Sequence, residues 1–132
     1  LLDGPGAAPP ADLVLVDAPC SGLGTVRRSP DLKWRLTADL LTQRIRLQRE
    51  ILAAWAPTVR PGGRLAYATC SLLPEENIQQ VRWFLAQDRS YELELPSQES
   101  IDRGVATREG CIQLYPHRHG CDGFFLAVMK RG

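Results

Sequence analysis

Leu13-Val14-Leu15-Val16-Asp17-Ala18-Pro19-Cys20-Ser21-Gly22 is the stretch whose reading decides the fold. Four apolar residues without polar alternation are the pattern of a strand covered on both faces in a parallel sheet, and a short polar segment closes it. Fifty residues on, Leu65-Ala66-Tyr67-Ala68 repeats the run and ends in Thr69-Cys70-Ser71. In open α/β sheets, ligands sit outside the carboxyl ends of the strands, where residues distant in sequence converge. Two thiols, each delivered by a strand end, therefore mark a reaction site. If the two strands are parallel neighbours about 4.8 Å apart, the sulfurs should lie within about 10 Å of each other.

Between the runs, the sequence predicts a helix from near Thr37, which can serve as N-cap, with Leu36 and Leu41 as a hydrophobic staple and Asp39 in the first turn. Its apolar face would be Leu41, Ile45, Leu52 and Trp55, and Pro57 would end it. Pro61-Gly62-Gly63 precedes a strand instead of following one, so it reads as a turn and not as a cofactor loop. Pro74-Glu75-Glu76 suits a helix amino end, and Ile78, Val81 and Leu85 carry that helix to about Gln87. Tyr91 to Leu95 alternates like an edge strand, Pro96 to Gly110 reads as a long loop, and Gly123 to Met129 is a strand. The order describes half of a doubly wound α/β domain.

The 132 residues are 44% hydrophobic and 23% charged, with a net charge of +1. One globular domain is expected, and any nucleic-acid contact must come from a local cluster. Residues 1–11, rich in Gly and Pro, read as a loop or severed connection, and 12–132 as the folded unit. Residues 1–10 lack the pattern of a signal peptide, and no run approaches the length of a membrane span. Four irregularly spaced cysteines favour reduced thiols, so the expected location is the cytoplasm.

Each candidate has a plainer alternative. On position alone, Cys70 fits inert packing as readily as reactivity. Asp17 could hold a cofactor or a base at the crevice, or merely cap a loop. Pro19 stiffens the backbone before Cys20. Arg27, Arg28, Lys33 and Arg35 surround Trp34, a grouping suited to phosphates and a stacked base in single-stranded RNA, or to a solvated face. Arg44, Arg46 and Arg49 read as surface residues of the first helix, and His117 and His119 as exposed loop residues. The His117-x-His119-x-Cys121 group lacks an evident fourth ligand and the close spacing of zinc sites, so no metal is assigned.

Asp17-Ala18-Pro19-Cys20-Ser21-Gly22, Arg27-Arg28-Ser29-Pro30-Asp31-Leu32-Lys33-Trp34, Tyr67-Ala68-Thr69-Cys70-Ser71, Pro74-Glu75-Glu76-Asn77 and Asp122-Gly123-Phe124-Phe125 together resemble the Fmu/Sun-type RNA (cytosine-5) methyltransferases. The resemblance runs from Asp12 almost to the end of the chain. It implies a Rossmann-like methyltransferase fold with a mostly parallel sheet, of which this chain is the carboxyl-terminal half. It also implies S-adenosylmethionine as cofactor and a cytosine in RNA as substrate, with 16S ribosomal RNA placed ahead of transfer RNA. By resemblance Cys70 is the nucleophile that adds to the base, Cys20 helps to resolve the adduct, Asp17 sits at the junction of cofactor and base, and Pro19 lines the base pocket. A target base must leave its stack to enter such a pocket.

The family's glycine-rich cofactor loop belongs upstream of Asp17 and is not found before it here. The implied amino-terminal half of the catalytic domain is then an expected partner. The chain by itself is expected to be inactive, and to self-associate through an apolar strand edge at Leu13 to Val16. A non-catalytic RNA-interaction module remains the alternative from another class. A cysteine hydrolase lacks a recognisable nucleophile elbow.

Overall fold

A computed structural model describes residues 4–132. The loop expected over 1–11 falls in part on residues 1–3, outside the described residues; residues 4–10 contain a turn and lead directly into the first strand. In chain order the elements are β1 (Ala11–Asp17), α1 (Leu32–Arg35), α2 (Ala38–Trp55), β2 (Val59–Thr69), α3 (Ile78–Gln87), β3 (Tyr91–Glu94), α4 (Gln98–Asp102), β4 (Ile112–Leu114), α5 (Pro116–His119) and β5 (Phe124–Arg131). They form one sheet in the order β1-β2-β5-β3, with β4 also pairing with β5.

The sheet is mixed. β1 and β2 are parallel, as expected for the strands that carry the two cysteine motifs, whereas β5 runs antiparallel to β2, β3 and β4. A mostly parallel sheet is thus corrected within this chain, because β5 inserts between β2 and β3 in the opposite direction. Residue periodicity carries no information about strand direction, which is why the motifs did not show it.

Thr37 caps α2 through its hydroxyl, which accepts from Leu40 N at 3.2 Å. The helix packs Leu52, fully buried, with half-buried Ile51 and Trp55 against Val14 and Val16 of β1. From β2 and β5 the alternate residues Leu65, Tyr67, Phe125, Ala127 and Met129 face the same core, joined by Val81 and Phe84 of α3. Period-2 alternation puts all of them on one side of the sheet. Removing one such side chain, as in Leu52→Ala, costs about 2–5 kcal/mol through lost burial and the cavity left behind.

Two expectations change. Leu13 and Leu15 are 60% and 63% exposed, so β1 is covered on one face only, the side of α2. Pro61-Gly62-Gly63 lies inside β2, where the pairing jumps from Ala11↔Val59 to Leu13↔Arg64, a bulge that Gly62 permits with φ of 80°. The long loop over 96–110 also contains α4, capped by Ser97, and a bridge from Ala106 to Ile112. No helix among the described residues is long and apolar enough to cross a membrane.

Candidate active site

Cys20 and Cys70 meet at the carboxyl ends of β1 and β2, with their sulfurs 3.3 Å apart. The parallel register pairs Asp17 with Ala68, and Ala18 N donates to Ala68 O at 2.9 Å, so the ladder continues past both strand ends and brings the two thiol loops together. Gly24 joins them from behind: its N–H donates to Cys70 O at 2.8 Å and its carbonyl accepts from Gly123 N at 2.7 Å. A Cβ at Gly24 would stand 2.4 Å from Gly123 O and 2.6 Å from Cys70 O, so only glycine fits this crossing. The Ser21-Gly22 turn uses Gly22 at φ of 74° to reverse the chain towards it.

The segment after Cys70 is clamped by Asn77. Thr69 Oγ1 donates to Asn77 Oδ1, and Asn77 Nδ2 donates to Ser71 O at 2.8 Å. Contrary to expectation, Pro74 to Asn77 is not the first turn of a helix: α3 begins only at Ile78. The carboxylate of Glu76 therefore does not serve a helix amino end but turns inward, accepting from Ser21 N at 2.8 Å, Ser21 Oγ at 2.6 Å, Ser71 Oγ and Gln48 Nε2 at 3.2 Å. Tyr67, buried under the same turn, donates its hydroxyl to Glu76 O at 2.6 Å.

The two thiols differ. The Cys20 hydrogen bond, with help from the Cys70 backbone and against burial and the charges of Asp17 and Glu76, brings Cys70 down from 9.0 to about 7. Cys20 moves the other way, its proton retained by the bond to Cys70, by burial and by the Cys70 charge. The bond from Cys20 thus favours the ionised form of Cys70. Its thiolate is the nucleophilic form.

Cys20 and Cys70 both line a trough of about 1140 Å3 between β1 and α2, which Asp17 and Pro19 share and which Ile51 and Trp55 continue as an apolar wall. Asp17 is exposed and has no side-chain hydrogen bond or ion pair among the described residues, so its carboxylate is available to a bound group. Arg27, Arg28 and Lys33 are not part of that lining. All three are exposed; Arg28 is held by Asp122 at 2.6 Å, and Lys33 lies 5.1 Å over the ring of Trp34, which is 80% exposed.

Reading the sequence missed Glu76, Gln48, Gln80 and Arg49 as parts of this region. Gln48 occupies an apolar position of α2 at helical spacing from Ile45 and Leu52, and a polar residue on a buried stripe is the signal that could have found it. Arg49 is not an ordinary surface residue: it donates to Gln80 Oε1 at 3.0 Å and stacks on Trp83 at 5.0 Å. His119 is half-buried and accepts from Tyr115 N at 2.9 Å through Nδ1, which stabilises α5.

The family model of 16S rRNA methyltransferase RsmB/F matches residues 6–130. The probable ribosomal RNA small subunit methyltransferase B of Synechocystis sp. is 43% identical over 133 residues, which cover 96% of this chain and 29% of that protein. Ribosomal RNA small subunit methyltransferase B of Pectobacterium atrosepticum is 43% identical over 120 residues, covering 91% of this chain and 26% of that protein. Among solved structures, NSun6 from Pyrococcus horikoshii with SFG superposes with a TM-score of 0.77 at 30% identity, covering 96% of this chain and 32% of that one. The chain thus spans under a third of the length of these relatives. With its two cysteine loops, mixed α/β sheet and match over nearly every residue, it belongs to the 16S rRNA methyltransferase RsmB/F family.

Proposed function

We propose that this chain is the thiol-bearing part of a cytoplasmic, S-adenosylmethionine-dependent RNA (cytosine-5) methyltransferase whose substrate is 16S ribosomal RNA. The observation that carries the reading is the 3.3 Å contact of two thiols at the ends of adjacent parallel strands. Carbon 5 of cytosine is a poor nucleophile. Addition of the Cys70 thiolate at carbon 6 moves electron density to carbon 5, which can then take a methyl group. A base then takes the proton from carbon 5, the electron pair that held it forms the carbon 5–carbon 6 double bond and expels Cys70 as a thiolate, and Cys20 assists this release by giving the leaving sulfur a proton.

S-adenosylmethionine, when bound, would supply the methyl group as an electrophilic sulfonium. Of the residues here, Asp17 would hold it at the mouth of the trough, and Pro19 would line the pocket for the base. NSun6, solved with SFG, a cofactor analogue, supports that cofactor class. The remaining cofactor contacts would come from the amino-terminal half of the catalytic domain. Arg27, Arg28, Lys33 and Trp34 offer cations and a stacking face to the RNA strand. The relatives named for small-subunit ribosomal RNA favour that substrate over transfer RNA.

The test uses an enzyme with both halves of the catalytic domain, S-adenosylmethionine carrying a labelled methyl group and, in parallel reactions, 16S ribosomal RNA and transfer RNA. After digestion to nucleosides, label in 5-methylcytidine is expected. Label in any other nucleoside, or labelling of transfer RNA alone, would contradict the proposal.

A further inference from the structure

Glu76 is fully buried and has no cation beside it among the described residues. Taking a carboxylate out of water costs several kcal/mol unless its lone pairs are filled, and here four donors fill them. Two come from Ser21, one from Ser71 and one from Gln48. Ser21 follows Cys20 and Ser71 follows Cys70, so one carboxylate ties together the backbones that present both thiols. Gln48 uses its second N–H on Pro19 O at 3.0 Å and thereby holds the other flank of Cys20.

The amide of Gln48 is itself oriented. Its oxygen accepts from Gln80 Nε2 at 2.8 Å, and the Gln80 oxygen accepts from Arg49 Nε at 3.0 Å. Gln80 spends its remaining N–H on Ile45 O at 2.8 Å. Along this relay one N–H of each group points towards Glu76 and each amide oxygen towards Arg49, while the second N–H of Gln48 and of Gln80 is spent on Pro19 O and Ile45 O. A flipped Gln48 amide would turn an oxygen on the carboxylate and leave the Gln80 donor facing an N–H. The cation at one end and the anion at the other fix a single arrangement through two buried amides. Leucines of similar volume would pack this α2–α3 contact without any desolvation cost, so the polar network is better explained by what it holds in place than by stability.

We infer that Glu76 is a positioning residue for both thiols, aligned through Gln48 and Gln80 by Arg49, and that it sets the contact between Cys20 and Cys70. What that contact is for rests on the proposed methyl transfer; the positioning itself does not.

Two effects of Glu76 on Cys70 oppose each other. Its charge, close by, disfavours the thiolate, whereas holding Cys20 in place favours it. The experiment follows alkylation of Cys70 by iodoacetamide against pH, peptide by peptide, in the chain as it stands and in Glu76→Gln and Ser21→Ala variants. If Glu76 positions the thiols, Glu76→Gln moves the Cys70 midpoint upward by about one pH unit, a roughly fivefold slower alkylation at pH 7 and roughly tenfold well below it. Ser21→Ala, which leaves the carboxylate charged, moves it upward as well. A midpoint that falls or stays in Glu76→Gln would show a neighbouring charge without a positioning role and overturn the inference. Should Glu76→Gln fail to fold by circular dichroism, Ser21→Ala decides, an upward shift supporting and an unmoved midpoint refuting. No RNA or cofactor enters this measurement, so its outcome is independent of whether 5-methylcytidine is formed.

Discussion

Asp17 stands opposite Ala68 in the parallel register of β1 and β2, and that single pairing explains how thiols fifty residues apart come to touch. Each chain leaves its strand within two or three residues of that pair and meets its cysteine. A register slip by one residue would turn one of the two loops to the other face of the sheet.

The same Asp17 gives a signed prediction. Its carboxylate disfavours ionisation of Cys70, so Asp17→Asn should lower the pH midpoint of Cys70 alkylation below about 7, the opposite of the shift expected for Glu76→Gln. Methyl transfer by the complete enzyme should nevertheless fall, because the proposed cofactor contact is lost. A higher midpoint in Asp17→Asn would contradict this electrostatic account.

Gly24→Ala should destabilise the protein by about 1–3 kcal/mol, the usual range for forcing extra atoms into a packed site. Its Cβ would strike the backbone oxygens of Gly123 and Cys70, which cannot swing aside as a side chain could. Urea denaturation measures the loss, and an unchanged midpoint would mean that the crossing is looser than described.

Stability should depend on pH through Cys70. Its folded pKa is depressed from 9.0 to about 7, so its contribution is present above pH 9 and is lost as pH falls through about 7. Cys20, with its folded pKa raised, adds the opposite slope above pH 9. The stability difference between wild type and Cys70→Ser should therefore grow as pH rises from about 7 to 9. Denaturation series at several pH values check it, and a flat difference would contradict it.

Four of the five strands, the long helix α2 and the meeting of the two motif cysteines were legible in the sequence because each rests on local pattern: unbroken apolar runs, the Thr37 cap, and turns at the strand ends; β4, three residues long, carried no such pattern. The direction of β5 was not legible, since alternation in Phe124 to Met129 reads the same either way. Glu76 was misread because an acid after a proline matches a helix start, and only the tertiary positions of Ser21 and Ser71 reveal where its carboxylate goes. The bare face of Leu13 and Leu15 was hidden for a similar reason: an apolar run reports that a strand can be covered, not what covers it.

That face and the β1 edge should make this 132-residue chain self-associate. Leu15 is 63% exposed, so Leu15→Lys leaves the core intact while placing a charge beside the open edge. On sizing with light scattering, the wild-type chain should elute above monomer mass and Leu15→Lys closer to it. A monodisperse wild-type monomer would remove the argument.

The roles assigned to the two thiols are tested most directly by trapping the covalent complex with RNA in the complete enzyme, read as a band that survives a denaturing gel. Cys70→Ala should give no adduct and no turnover, whereas Cys20→Ala should accumulate adduct on unmodified RNA because release is slowed. Adduct formed by Cys70→Ala and absent from Cys20→Ala would contradict the account and exchange the two roles.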